Sequence, residues 1–264
     1  MSNRLKTGIA EFDQMLGGGF LEGDAVMLAG GPGTGKTNIS LEYLIAGIAA
    51  GQPGIYLSFE EMPDQIYRDA ETFGWDLRKM EKENQLRVLC TSPEVLLGGS
   101  DAAELLAEPI REIKARRIVI DSLSHLSMFV KGEDIRKETY RLMRYFKTKD
   151  LSSILIWESP QTQGQSFAVA DAGLSFIVDT IILLRFVEID SSIKKAITVL
   201  KMRGSAHDTR LMQYEITQEG VKILAPFGGF EGITTGMARK VSKSIDDLIK
   251  KFDETMPENG GEKE

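Results

Sequence analysis

Cysteine and histidine are nearly absent. Cys90, His125 and His207 are the whole supply in 264 residues. One cysteine and two histidines cannot build a conventional structural zinc site. Cys90 lies inside the apolar stretch LRVLC and reads as a buried strand residue in a reducing compartment. Long hydrophobic runs are missing too. No stretch of 18 apolar residues occurs, so no membrane span is expected. The opening MSNRLKTGIAEFD lacks an apolar signal core, so export is not expected and a cytoplasmic location is. Positive charge is in short supply: 32 Lys and Arg stand against 39 Asp and Glu, a net charge of −7. That balance argues against a general nucleic-acid coat, which needs cations to neutralise phosphates.

What remains is an ordinary globular composition, 42% apolar and 27% charged. The length suits one large domain or two small ones. Apolar runs at 25–29, 54–59, 86–90, 117–122, 153–157 and 180–189 read as strands. Helical patterns fill 38–50, 63–73, 101–115 and 133–149. Continuous apolar strands alternating with helices predict an α/β fold, a mostly parallel twisted sheet covered on both faces. After residue 180 the segments TIILLRFVEI, KKAITVLKMRG and LMQYEITQEGVKIL are joined by short polar turns, which predicts an antiparallel extension. A helical stretch from Ser242 then leads into TMPENGGEKE, a polar segment expected to be disordered.

The strand AVMLA runs into GGPGTGKT, and a helical pattern follows. Gly30, Gly35, Lys36 and Thr37 satisfy G-x-x-x-x-G-K-[ST]. In such a loop the glycines let backbone N–H groups point at phosphates, and the lysine reaches the β/γ oxygens. The threonine hydroxyl serves Mg²⁺. The helix N-terminus faces the anion. ATP and Mg²⁺ are therefore the expected ligands.

Hydrolysis needs more than this loop. RIVIDS ends in Asp121 at the C-terminal end of a buried strand, the edge where ligands bind in open α/β sheets. Asp121 reads as a Mg²⁺-shell carboxylate or as a cap for the next helix. YLSFEEMPDQI places Glu60 and Glu61 at another strand end. The pair could polarise an attacking water, or be a solvated strand end. If they continue the strand, their side chains point oppositely and one faces the γ-phosphate. In LKMRGSAH, Lys201 and Arg203 share one strand face. They read as polyphosphate contacts or as an ordinary solvated edge.

Taken together, TGIAEFDQMLGGGFLEGDAVMLAGGPGTGKT, YLSFEE, IVIDSLSHL, DTIILLRFVEID and LKMRGSAHDTRLMQYEITQEG resemble the RecA-like P-loop ATPases of the KaiC family, from about Thr7 to Gly232. The resemblance implies a ring of six identical subunits with ATP between neighbours, working as a slow regulatory ATPase with a possible protein partner. It implies that Gly31, Gly33, Thr34, Gly35, Lys36, Thr37 and Asn38 hold the nucleotide within one subunit, with Thr37 and Asp121 serving Mg²⁺. Lys201, Met202, Arg203, Ser205 and His207 then reach the nucleotide of the next subunit. Lys201 and Arg203 lie on the γ-phosphate and His207 on ribose or phosphate. Glu60 becomes the general base, with Glu61 beside it. Residues 1–232 form the ATPase domain and 233–264 a short helix and tail. Clock members of the family are tandems of two such domains, whereas this sequence reads as a single one. Autophosphorylating members carry a Ser-Thr pair just before DTIILL. Here Ser175 and Phe176 stand there, so a two-site phosphorylation cycle is not expected.

RecA and RadA recombinases share this core and bind DNA through central loops, which makes a DNA-dependent ATPase the alternative. The corresponding loop, 158–173, holds Glu158 and Asp171 but no Lys or Arg. A channel for single strands wants basic residues, so DNA is not expected as a partner.

Overall fold

In the order of the chain, the computed structural model has β1 (Arg4–Leu5), α1 (Ala10–Met15), β2 (Phe20–Leu21), β3 (Ala25–Gly30), α2 (Lys36–Ala49), β4 (Gly54–Ser58), α3 (Pro63–Glu71), α4 (Leu77–Lys82) and β5 (Leu86–Cys90). There follow α5 (Ser100–Ile113), β6 (Arg117–Asp121), α6 (Glu133–Thr148), β7 (Ser152–Glu158), β8 (Thr180–Ile189), β9 (Ser192–Met202), β10 (Met212–Thr217) and β11 (Gly220–Pro226), then β12 (Phe230–Glu231) and β13 (Arg239–Lys240). The structure describes residues 3–97, 100–130, 133–158, 174–228, 230–231 and 239–240. Most of the candidate DNA loop and the expected helix from Ser242 lie outside them.

The main sheet has nine strands in the order β11-β10-β9-β8-β3-β7-β6-β4-β5. From β8 to β5 every pairing is parallel. β9, β10 and β11 continue it by antiparallel pairings. This is the α/β architecture of a RecA-like P-loop ATPase. Its central strands β3, β4, β6 and β7 are buried on both sides, which explains their unbroken apolar runs. Along β3, Val26 and Leu28 enter one core with Ile39 and Leu44 of α2. Ala25, Met27 and Ala29 enter the other core with Leu142 and Phe146 of α6. Helix α2 thus lies on one face and α6 on the opposite one.

Two sequence expectations need correction. Cys90, the last residue of β5, is half-buried rather than buried, because it sits at an open sheet end. Strand β4 stops at Ser58, before the glutamate pair. The Ser58 hydroxyl accepts the N–H groups of Glu60 (3.2 Å) and Glu61 (2.9 Å), so the chain bends there instead of extending.

Helix α2 is tied to the antiparallel extension by Glu42, whose Oε1 accepts the Val221 N–H at 2.6 Å. Burial pushes the Glu42 carboxyl up to about 7 from its ordinary 4.5. The folded state therefore holds this proton more tightly than the unfolded chain. Stability falls as pH rises from 4.5 through 7, and the ionised group remains costly above that. Glu42→Gln keeps an acceptor for Val221 without the charge. Its melting temperature should exceed the parent's at pH 8, with the gain shrinking towards pH 5. Equal gains at both pH values would mean that the buried charge is not the cause.

Candidate functional site

The loop between β3 and α2 is built around its glycines. Gly33 and Gly35 adopt φ of +74° and +87°, in the region that side chains disfavour. A Cβ on Gly35 would also sit 2.5 Å from Ile216 Cδ1. The Thr34 hydroxyl donates to the Gly31 carbonyl at 2.8 Å, and the Tyr214 hydroxyl donates to the Thr34 carbonyl. Strand β10 therefore clasps the loop from outside. No side chain caps α2, so the N-terminus of this 14-residue helix opens directly onto the loop.

Beside this loop lies a cleft of about 280 Å³. It brings together Lys36, Thr37 and Asn38 from α2, Glu60 and Glu61 from the bend after β4, and Asp121 from the end of β6. Among the described residues the Asp121 side chain caps no helix. Its Oδ2 accepts the Thr37 hydroxyl at 3.1 Å and the Tyr56 hydroxyl from β4. Burial pushes the Asp121 carboxyl up, opposed by these two hydrogen bonds and by Lys36. The Glu61 carboxyl is raised by burial, then by Asp121, Asp69 and Glu60. Glu60 is mostly exposed and lies 3.5 Å from His125 Nε2.

Lys36 Nζ donates to the Gly31 carbonyl at 2.9 Å and pairs with Glu158 at 3.5 Å. Glu158 ends β7 and also lines the cleft. Among the described lining residues Lys36 is the sole cation, facing the carboxylates of Glu60, Glu61, Asp121 and Glu158. The available donors are hard oxygens. That chemistry suits Mg²⁺, which is usually held by one or two carboxylates together with substrate phosphates. The glycine cradle and open helix terminus suit a polyphosphate.

Residues 5–227 match the model of the KaiC ATPase family. The chain belongs to the KaiC family. It is 34% identical over 252 residues to the Synechocystis protein named circadian clock protein KaiC3, which covers 95% of this chain and 50% of that one. It is 33% identical over 239 residues to circadian clock oscillator protein KaiC of Thermostichus vulcanus, and equally so to that of Synechococcus elongatus, each covering 90% of this chain and 46% of the relative. The chain thus spans about half the length of the curated relatives it matches. Residues 5–227 are therefore a KaiC-type ATPase domain. No described helix is long and apolar enough to cross a membrane.

The remaining residues singled out from the sequence stand elsewhere in this KaiC-type domain. Lys201 and Arg203 lie at the sheet's amino edge. Lys201 Nζ donates to the carbonyls of Ser175 (2.6 Å) and Val178 (2.7 Å), while Arg203 donates to the Phe176 carbonyl at 2.8 Å and faces Asp179 at 3.8 Å. Pairing shifts between Ile181 and Ile182, a bulge that places Lys201 opposite Ile181. Burial, then Arg203, lowers the Lys201 pKa, and Asp179 opposes them. The Met202 side chain is in the core, Ser205 accepts a hydrogen bond from Arg4 at 2.6 Å, and His207 Nδ1 lies 3.5 Å from the Ser205 carbonyl.

These groups are remote from the phosphate loop of their own subunit. The Arg203 N–H bonds Asp179 O, and the Asp179 N–H bonds Ala25 O, the first residue of β3. The loop begins beyond Gly30, at the other end of that strand. At about 3.3 Å per residue the separation is about 17 Å.

Sequence reasoning did not include Glu158, Tyr56, Ser58 or Ile216 in the site. Glu158 carried a usable signal, an acid ending the apolar run SILIW just as Asp121 ends RIVI. Ile216 carried none, because it reaches the loop from a distant strand.

Proposed function

We propose that this protein is an ATP-hydrolysing KaiC-type ring, six subunits in the closed form, with each nucleotide between neighbours. The separation between the cleft and the Lys201–Arg203 pair carries this reading. The cleft gathers four carboxylates around one lysine, and ATP adds further negative charge. Thr37 and Asp121 would hold Mg²⁺, whose charge would offset part of that of the phosphates. Lys201 and Arg203 supply the rest, but across about 17 Å they serve a neighbour's site rather than their own. In the assembled site Lys36 moves from Glu158 to the β/γ oxygens. Glu60 accepts the proton of the attacking water, and Glu61 and Glu158 orient it. Met202, Ser205 and His207 approach the neighbour's nucleotide beside the two cations, with Met202 using its backbone.

On this reading residues 1–232 are the ATPase unit and 233–264 a tail, and the protein acts in the cytoplasm as a slow regulatory ATPase. Phosphate transfer to Ser175 is outside the proposed reaction. The test is particle mass by light scattering with and without ATP and Mg²⁺, alongside phosphate release. Assembly should require nucleotide, and the rate per subunit should fall on dilution below the assembly threshold. A monomer that hydrolyses ATP undiminished at high dilution would overturn the ring. Stimulation by single-stranded DNA would promote the recombinase-like alternative.

A further inference from the structure

Tyr56 is 0% exposed in the middle of β4, among apolar residues of the α2-side core. A phenol hydroxyl in such a place needs a partner. It donates to Asp121 Oδ2, the same oxygen that accepts the Thr37 hydroxyl. Both donors converge on one carboxylate oxygen, and no donor to Oδ1 occurs among the described residues. The register explains how the groups meet, since Ser58 of β4 pairs with Asp121 of β6 and Tyr56 lies two residues earlier on the same face.

We infer that Tyr56 is a positioning residue for Mg²⁺. Its hydroxyl fixes the Asp121 carboxylate so that the oxygen bound to Thr37 stays turned to α2 and Oδ1 is left for the ion's shell. The inference rests on the proposal that Asp121 serves Mg²⁺. Groups that hold a ligating carboxylate commonly contribute 10–100-fold to metal affinity. A phenol that merely satisfied its own hydrogen bond would affect stability and leave the metal dependence alone.

The test is Tyr56→Phe, which removes one oxygen and keeps the ring. Binding of a non-hydrolysable ATP analogue is titrated with Mg²⁺ by calorimetry, with EDTA as the metal-free reference. The expected result is a Mg²⁺ half-saturation raised about 10–100-fold with metal-free binding unchanged. Asp121→Asn runs in parallel. If it also leaves the Mg²⁺ dependence unchanged, the metal assignment itself fails. If it shifts the dependence and Tyr56→Phe does not, the positioning role is overturned and the metal assignment stands. Should Tyr56→Phe lower the melting temperature, the double variant decides. In the Asp121→Asn background the Tyr56→Phe shift should vanish. A full, additive shift there means that Tyr56 acts through something other than Asp121.

Discussion

A mixture of Lys36→Ala and Arg203→Ala subunits should recover ATP hydrolysis that neither protein shows alone. Lys36 sits in the phosphate loop, whereas Arg203 leaves the sheet at the opposite edge, level with Ala25. If Arg203 served its own subunit's ATP, every subunit in the mixture would lack one essential group and the mixture would stay inactive. If it serves the neighbour, some interfaces combine an intact Lys36 with an intact Arg203. An arginine supplied in trans is worth about 10³–10⁵ in rate in other phosphoryl-transfer enzymes, so recovery stands well above background. Phosphate release is the readout, and subunit exchange is checked by energy transfer between labelled proteins. No recovery in demonstrably mixed assemblies rejects the trans assignment. The contacts that hold Arg203 to Phe176 O and Asp179 in the single subunit must give way for this reach. Arg203→Ala alone should therefore leave the subunit folded.

Glu60→Gln should leave nucleotide binding and assembly intact while lowering hydrolysis about 10²–10⁴-fold, the usual cost of removing a general base. Glu60 lies in the bend after Ser58, exposed enough to meet water and 3.5 Å from His125. Glu61 is exposed as well, but partial burial and then Asp121 raise its carboxyl. On the proposed function Glu61 orients the attacking water and Glu60 takes its proton. Glu61→Gln should accordingly cost less, since glutamine keeps the size and an oxygen acceptor. Single-turnover rates at saturating ATP and Mg²⁺ separate this from changes in binding. A larger loss for Glu61→Gln reverses the assignment of the two acids.

The parallel core was legible because each central strand is buried on both faces and must be apolar along its whole length. β3, β6 and β7 therefore announce themselves. Helices α1 and α4, six residues each, passed unnoticed because one and a half turns carry too little periodicity. The loop from Gly30 to Thr37 was legible because positive-φ positions and a terminal lysine have few substitutes. The bend at Glu60 was not, since a serine hydroxyl capturing two N–H groups leaves no mark in hydropathy. Sequence order also hid which edge each charged group occupies. The resemblance put Lys201 and Arg203 on a neighbour's phosphates, and β9 runs antiparallel to β8, so Lys201 and, just past the strand's end, Arg203 lie away from their own loop. Tyr56 became visible only when β4 and β6 set it beside Asp121, whereas the acid that ends β7, Glu158, was in plain view and took on meaning once it stood beside Lys36.

The placement of β3 has a consequence for how the protein is made. The strand that launches the phosphate loop lies between β7 and β8, and both are encoded after it, the second reaching Leu184. Until the ribosome has delivered that segment, β3 is an apolar strand with no neighbour on one edge or the other. Its pairings span more than a hundred residues of chain, so closing them is slow relative to local hairpins such as β10–β11. A nascent chain halted before Thr180 exposes an aggregation-prone edge beside an unformed loop. During synthesis, nucleotide binding is accordingly a late event.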